Sequence, residues 1–240
     1  MAIASPHVSN ENAVVFRLGA TFPSETFYAK AVPALREVID GAFVRADLTH
    51  VGKYGGTLVK LTDAALDKVM KDRGHRFWWL TSSKDKAPEV ALDCHRLQEA
   101  LTIRVTLRGG GLRRHAPTLA ASIETMTWAV LDAYGKRASI SGDVCPLLEP
   151  PIRTPKTLKR GPYHPAAVVD VLDRRDLEDG DPEWLKLQRK MRAAALPRSV
   201  RVVERGDVTM WFWTDKLGDV KAMRAACRQR QQWLVRTLWK

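Results

Sequence analysis

Asp93-Cys94-His95 is the densest run of reactive side-chain types in the chain, and Glu89 lies four residues upstream of it. In an extended segment, residues two apart share a face, so Asp93 and His95 could share a proton or a metal ion, as a hydrolase site requires. A polar strand end with a buried Cys accounts for the same residues without catalysis and is the simpler reading. A nuclease that follows its first carboxylate with E-x-K on an adjacent strand needs a lysine two residues beyond a second acid, and residues 76–107 supply none. Ser82 and Ser83 fall in a polar stretch with no G-x-S-x-G elbow. Cys94, Cys145 and Cys227 are odd in number and far apart, which argues against a disulfide framework or a zinc site. No catalytic residue, metal ligand or cofactor is therefore assigned.

Two other groups bear on binding. Arg108-Gly109-Gly110-Gly111-Leu112-Arg113-Arg114-His115 stands between a predicted strand and a helix, where glycines let an anion approach the backbone. Arg108, Gly110, Arg113 and Arg114 are its candidate anion contacts. The run lacks the Gly-Lys-Ser/Thr ending of a phosphate loop and the spacing of a dinucleotide fingerprint, so a glycine turn flanked by solvated arginines is the simpler reading. His50 to Gly56 likewise reads as a turn. The other group joins aromatic and cationic residues. Of eight tryptophans, Trp211 and Trp213 share one strand face, and the helix that follows carries Lys221, Arg224 and Arg228 on its outer side. Because Trp and Arg dominate interface hot spots, Trp211, Trp213, Lys221, Arg224 and Arg228 form the candidate partner-binding surface. The same combination could stack on and neutralise single-stranded nucleic acid.

Periodicity sets the elements that carry these groups. Ala13–Leu18 alternates, with Val14, Phe16 and Leu18 against Val15 and Arg17, and predicts a strand turned by Gly19 to Pro23. Ser24 is the expected N-cap of a helix reaching Asp40, with a kink or late start at Pro33. Thr62–Asp72 predicts a second helix through Leu66, Val69 and Met70. Arg76–Thr81, Glu89–Asp93 and Leu101–Leu107 predict three strands, the last in strict period two. Pro117 is placed to begin a helix with the stripe Leu119, Ile123, Met126, Val130 and Tyr134. Arg137–Ser141 predicts a short strand and Ala166–Arg175 a short helix. Asp181-Pro182 opens another helix, with Trp184, Leu187 and Met191 at helical spacing. Ser199–Glu204 and Asp207–Trp213 form a hairpin turning at Gly206-Asp207. A final helix from about Asp215 buries Val220, Met223, Cys227, Leu234 and Leu238.

Strands in succession with helices between the groups predict an α+β fold with a mainly antiparallel sheet and helices packed on it. Six prolines between residues 145 and 165 predict an extended connector between an α+β lobe at 1–144 and a lobe at 166–240, packed together as one domain.

Charge is distributed unevenly. The formal net charge of +12 on 240 residues is +1 over residues 1–100, +6 over 101–161, −4 over 162–182 and +9 over 183–240. The acidic knot holds Asp170, Asp173, Asp176, Glu178, Asp179 and Asp181. This pattern fits an acidic partner, with a protein surface preferred to nucleic acid because no run of five consecutive basic residues occurs. No apolar run approaches the roughly 20 residues that cross a bilayer, and no basic-then-apolar leader opens the chain. The expected setting is the cytoplasm, with no membrane contact.

The opening Val14-Val15-Phe16-Arg17-Leu18-Gly19-Ala20, the aromatic turn through Phe22 with Ser24-Glu25, and the helix after it resemble the start of bacterial immunity proteins of the immunity-52 type. The helix Pro117–Tyr134 followed by a short strand is similar to the later part of that pattern. The resemblance implies an α+β protein that neutralises a polymorphic toxin, often a nuclease. For so basic a chain, it also implies an acidic toxin surface. A nucleic-acid-binding protein is the alternative, and a hydrolase using Asp93 and His95 the weaker one.

Overall fold

A computed structural model describes residues 12–22, 28–53, 56–71, 77–97, 100–136, 138–148, 166–175 and 182–238. In chain order the strands are β1 (Ala13–Thr21), β2 (His50–Lys53), β3 (Val59–Lys60), β4 (Phe77–Thr81), β5 (Val90–Leu97), β6 (Ala100–Arg108), β7 (Ser139–Leu147), β8 (Val169–Asp173), β9 (Arg201–Arg205) and β10 (Val208–Phe212). The helices are α1 (Tyr28–Asp40), α2 (Asp63–Lys71), α3 (Gly109–His115), α4 (Leu119–Tyr134), α5 (Pro182–Ala193) and α6 (Val220–Leu238). All ten strands join one sheet in the order β3-β2-β4-β5-β6-β1-β7-β8-β10-β9. Every described pairing is antiparallel. The chain is an α+β protein.

β1 is the centre of the sheet. Its nine residues pair with β6 on one side and β7 on the other, bringing Arg17 opposite both Arg104 and Asp143. Val14, Phe16 and Leu18 are buried, as are Leu101, Ile103, Val105 and Leu107 of β6 and the whole α4 stripe from Leu119 to Tyr134. Apolar side chains at period two on the sheet and near period 3.6 on the helix meet in one core, and each large one contributes about 1.5–3 kcal/mol by leaving water.

At the far end, α4 and α6 cover opposite faces. Arg201 and Arg205 of β9 reach Glu124 and Asp132 of α4, and Arg201 stacks over Phe212. Trp211, one residue earlier and therefore on the other face, meets Trp233 of α6 with ring centroids 5.8 Å apart. Gly206, at φ +58°, supplies the left-handed residue of the two-residue turn joining β9 to β10.

Several expectations are corrected. Gly19 to Thr21 continue β1, paired on both sides, and do not turn. α1 begins at Tyr28, with Pro33 inside it, and Ser24 lies outside the described residues. His50–Lys53 is a strand, β2, although expected as part of a turn. Gly109–Gly111 form the first turn of α3, and α4 starts at Leu119, two residues after Pro117. The segment expected as a helix at Ala166–Arg175 contains β8 instead, all five residues of which are buried. A short segment buried on both faces, its two aspartates included, gives no exposed-polar alternation to separate strand from helix, and the β-branched Val169 and Val171 favour the strand.

Cys145, Pro146 and Leu147, expected in the connector, belong to β7. Pro146 fits there because, among the described residues, β8 pairs only with Gly142–Val144, and beyond that ladder no described acceptor calls for an N–H donor. Residues 149–165 and 176–181 lie outside the described residues.

Candidate partner-binding surface

α6 is held at both of its levels. Its first turn is capped by Asp219, whose Oδ1 accepts from the backbone N–H of Lys221 and Ala222 at 2.8 and 3.1 Å. Its underside buries Met223, Cys227, Arg230, Trp233 and Leu234. Lys221, Arg228 and Arg236 are exposed on the outer side and Arg224 is half-buried. Since 220–238 contains no Asp or Glu, every charge that α6 carries on this outer side is positive.

The structure corrects the other half of the expected surface. Trp211 and Trp213 are each only 4% exposed and pack against Trp233, with centroids 5.8 and 5.5 Å apart. The indoles seat α6 and do not face a partner. They also enclose a polar centre, in which Asp170 accepts from Trp213 Nε1 at 2.9 Å and from Arg230 Nε and Nη2 at 2.8 and 2.6 Å. Burial opposes the charge on Arg230, but Asp170 and Asp143 outweigh it and raise the guanidinium above its ordinary value. This pair was absent from the expected site residues. Its only sequence signal was an Arg on the apolar side of the last helix.

Asp170 belongs to a row that crosses nine strands. Directly opposed residues in antiparallel pairs share a face. The register therefore puts Gly52, Trp79, Asp93, Arg104, Arg17, Asp143, Asp170, Trp211 and Val202 in one line on the α6 side of the sheet. α6 covers the row at Asp170 and Trp211. Toward β4 the face opens, and the side chains of Arg104 and Arg17 are 46% and 36% exposed while those of Asp93 and Asp143 beside them are 5% and 21% exposed. Arg104 Nε donates to Asp93 Oδ2 at 2.6 Å. Arg17 Nε and Nη2 donate to Asp143 at 3.0 and 3.1 Å. Burial pushes both carboxyls up from the ordinary aspartate range, with the arginines pulling the other way.

Asp93 and His95 do share this face, yet the Asp93 carboxylate is engaged by Arg104, and the His95 ring lies edge-on to Phe77 at 5.3 Å. Cys94 points into the core, where burial pushes its thiol well up. Burial likewise takes Cys145 and Cys227 up to about 12, so all three sulfurs remain protonated at neutral pH. Among the described residues no three His, Cys, Asp or Glu side chains are grouped to hold a metal ion.

Burial first, and then the charge of Arg104, lower the His95 pKa from its ordinary 6.5. An NMR titration of His95 is expected to give a midpoint below 6.5, and Arg104→Gln to move it upward. An unmoved midpoint would place the Arg104 charge elsewhere.

At the glycine run, the Gly110 N–H donates to Glu89 Oε1 at 3.2 Å. A Cβ on Gly111 would lie 2.7 Å from the Glu89 carbonyl oxygen, so this glycine permits α3 to pack against β5. Arg114 turns back to Asp47 at 3.0 Å, Arg108 is half-buried and Arg113 is exposed. A carboxylate of the chain itself thus takes the donor expected to meet an anion.

The fold and this surface define a class: an α+β protein built on one large antiparallel sheet, with one face partly covered by a cationic helix and partly open. No family model matches the chain, and no curated protein matches it. Among solved structures it is similar to the Pseudomonas aeruginosa T6SS protein PA0821, with a TM-score of 0.52 and 13% identity over 97% of this chain and 88% of that one. The likeness is one of fold. Among the described residues no helix is long and apolar enough to cross a membrane.

Proposed function

We propose that the chain is a non-enzymatic binding protein of the immunity type, which neutralises a toxin by occluding it, and that it works in the cytoplasm. The observation that carries this reading is the outer side of α6, where Lys221, Arg224 and Arg228 recur at helical spacing with no acid between residues 220 and 238. Such a stripe attracts an acidic protein face and speeds the encounter. The sheet fold shared with a T6SS protein supports a toxin-related setting. Residues 1–144 and 166–240 are read as one domain, because β7 of the first pairs with β8 of the second.

The test begins with the neighbouring gene, which is expected to encode a toxin, and co-expresses the chain with that toxic domain. The chain is expected to restore growth, and Arg224→Glu/Arg228→Glu to weaken the complex at least tenfold in calorimetry and abolish the rescue. Full rescue by the double variant would remove α6 from the interface. Absence of rescue by the unaltered chain would sink the immunity reading.

The +9 over 183–240 also suits a nucleic-acid-binding protein. In that case, affinity for a DNA or RNA oligonucleotide should fall steeply with salt as counterions are released. A flat response excludes it.

A further inference from the structure

We propose that Arg17 and Arg104 form a clamp for the carboxylate of an acidic side chain on a protein partner, docked on the open sheet face beside α6. The proposal rests on the binding reading above and gives the partner's contact its chemistry. Arg17 and Arg104 are directly opposed on β1 and β6, which brings their Cβ atoms to about 4.5–5.5 Å. Two like charges so placed repel each other unless an anion lies between or beside them.

Among the described residues, the anions that meet these two arginines lie on the outer flanks. Asp93 on β5 holds Arg104, and Asp143 on β7 holds Arg17. Both carboxylates are sunk, and both guanidiniums stand outward. Arg104 spends Nε on Asp93, and Arg17 spends Nε and Nη2 on Asp143. Among the described residues, Nη1 of Arg17 and both Nη atoms of Arg104 have no hydrogen-bond acceptor. The buried aspartates therefore fix the forks from below and leave N–H donors facing out, which is the preorganisation a binding site needs.

The surroundings favour a protein side chain. Trp79 and Phe77 of β4 lie half-buried on the same face, beside Asp93 and His95, and an Arg and aromatic cluster is the composition of a protein hot spot. With two aspartates beneath two arginines the patch has no net charge to attract a polyphosphate. A single carboxylate, by contrast, can accept from Arg17 Nη1 and from the Nη donors of Arg104 at once.

The probe is a hexaglutamate peptide titrated at low salt into the isotope-labelled full-length chain, followed through the Arg side-chain Nε–H and backbone amide resonances. The largest shifts are expected at Arg17, Arg104 and their neighbours on β1 and β6. Arg17→Gln/Arg104→Gln should weaken binding at least tenfold, and Arg104→Lys by less, since it keeps the charge and loses the fork. Asp93→Asn/Arg104→Gln, which leaves no buried carboxylate unpaired, keeps the test valid if the first variant unfolds. It should bind as weakly. Shifts confined to α6, or equal affinity in all variants, would overturn the clamp. So would a single-stranded oligonucleotide of equal charge that binds this face more tightly than the peptide. Toxin rescue by the unaltered chain with equal rescue by the Arg17/Arg104 variants would overturn the clamp and leave the immunity reading standing. Peptide binding without any rescue would do the reverse.

Discussion

Arg230→Met is expected to lower the free energy of unfolding by about 3–5 kcal/mol, the usual cost of removing one partner from a buried ion pair. Arg230 is fully exposed to the core and not to water, with a relative accessibility of 0%, and gives two hydrogen bonds to Asp170. Without it, Asp170 keeps Trp213 as its remaining described donor and sits as an uncompensated charge beneath α6. Urea denaturation should show the midpoint falling with little change in slope. Asp170→Leu/Arg230→Met should recover part of the loss, because replacing both charges by apolar groups removes the desolvation penalty, while Trp213 Nε1 is left without its acceptor at a cost of about 1–3 kcal/mol. If the double variant is no better than the single one, the pair does more than satisfy itself.

Trp78→Ala is expected to cost a similar amount, about 3–5 kcal/mol, from lost burial and the cavity left behind. Trp78 is buried on β4, and its Nε1 donates to the Val69 carbonyl of α2 at 2.7 Å. It pins α2 to the sheet on the core face, while its neighbours Phe77 and Trp79 look to the other. Trp78→Phe should cost less, and the part of its loss due to the unsatisfied Val69 carbonyl is about 1–3 kcal/mol. Thermal or urea unfolding separates the two variants. Equal losses in both would mean that the hydrogen bond, and not the volume, sets the cost.

Much of the fold is legible in the amino-acid sequence. β6 and β1 declare themselves by strict alternation, α4 by its stripe, and the β9–β10 hairpin by Gly206-Asp207, because each of these signals is local and periodic. β8 is hidden from a reading of periodicity because its run is buried on both sides. Gly109–Gly111 resembles a turn because glycine signals one in sequence, whereas here Gly111 removes a side chain that would strike the Glu89 backbone.

The site was less legible than the fold. The cationic outer side of α6 follows from helical spacing alone. Trp211 and Trp213 are ambiguous in sequence because aromatic residues suit both interfaces and cores, and the packing of Trp233 against them decides for the core. Arg17 and Arg104 were each visible as polar members of an alternating strand.

By itself, the sequence determined the α+β class, the faces of its regular elements and the concentration of positive charge beyond residue 100. The tertiary structure alone decided which faces meet. Pairing β1 with β6 and β7 joins residues about ninety and one hundred and thirty positions apart, and such register is a property of the whole sheet. It sets Asp93, Arg104, Arg17, Asp143 and Asp170 in one row, buries one end of that row under α6 and leaves the two arginines open to solvent.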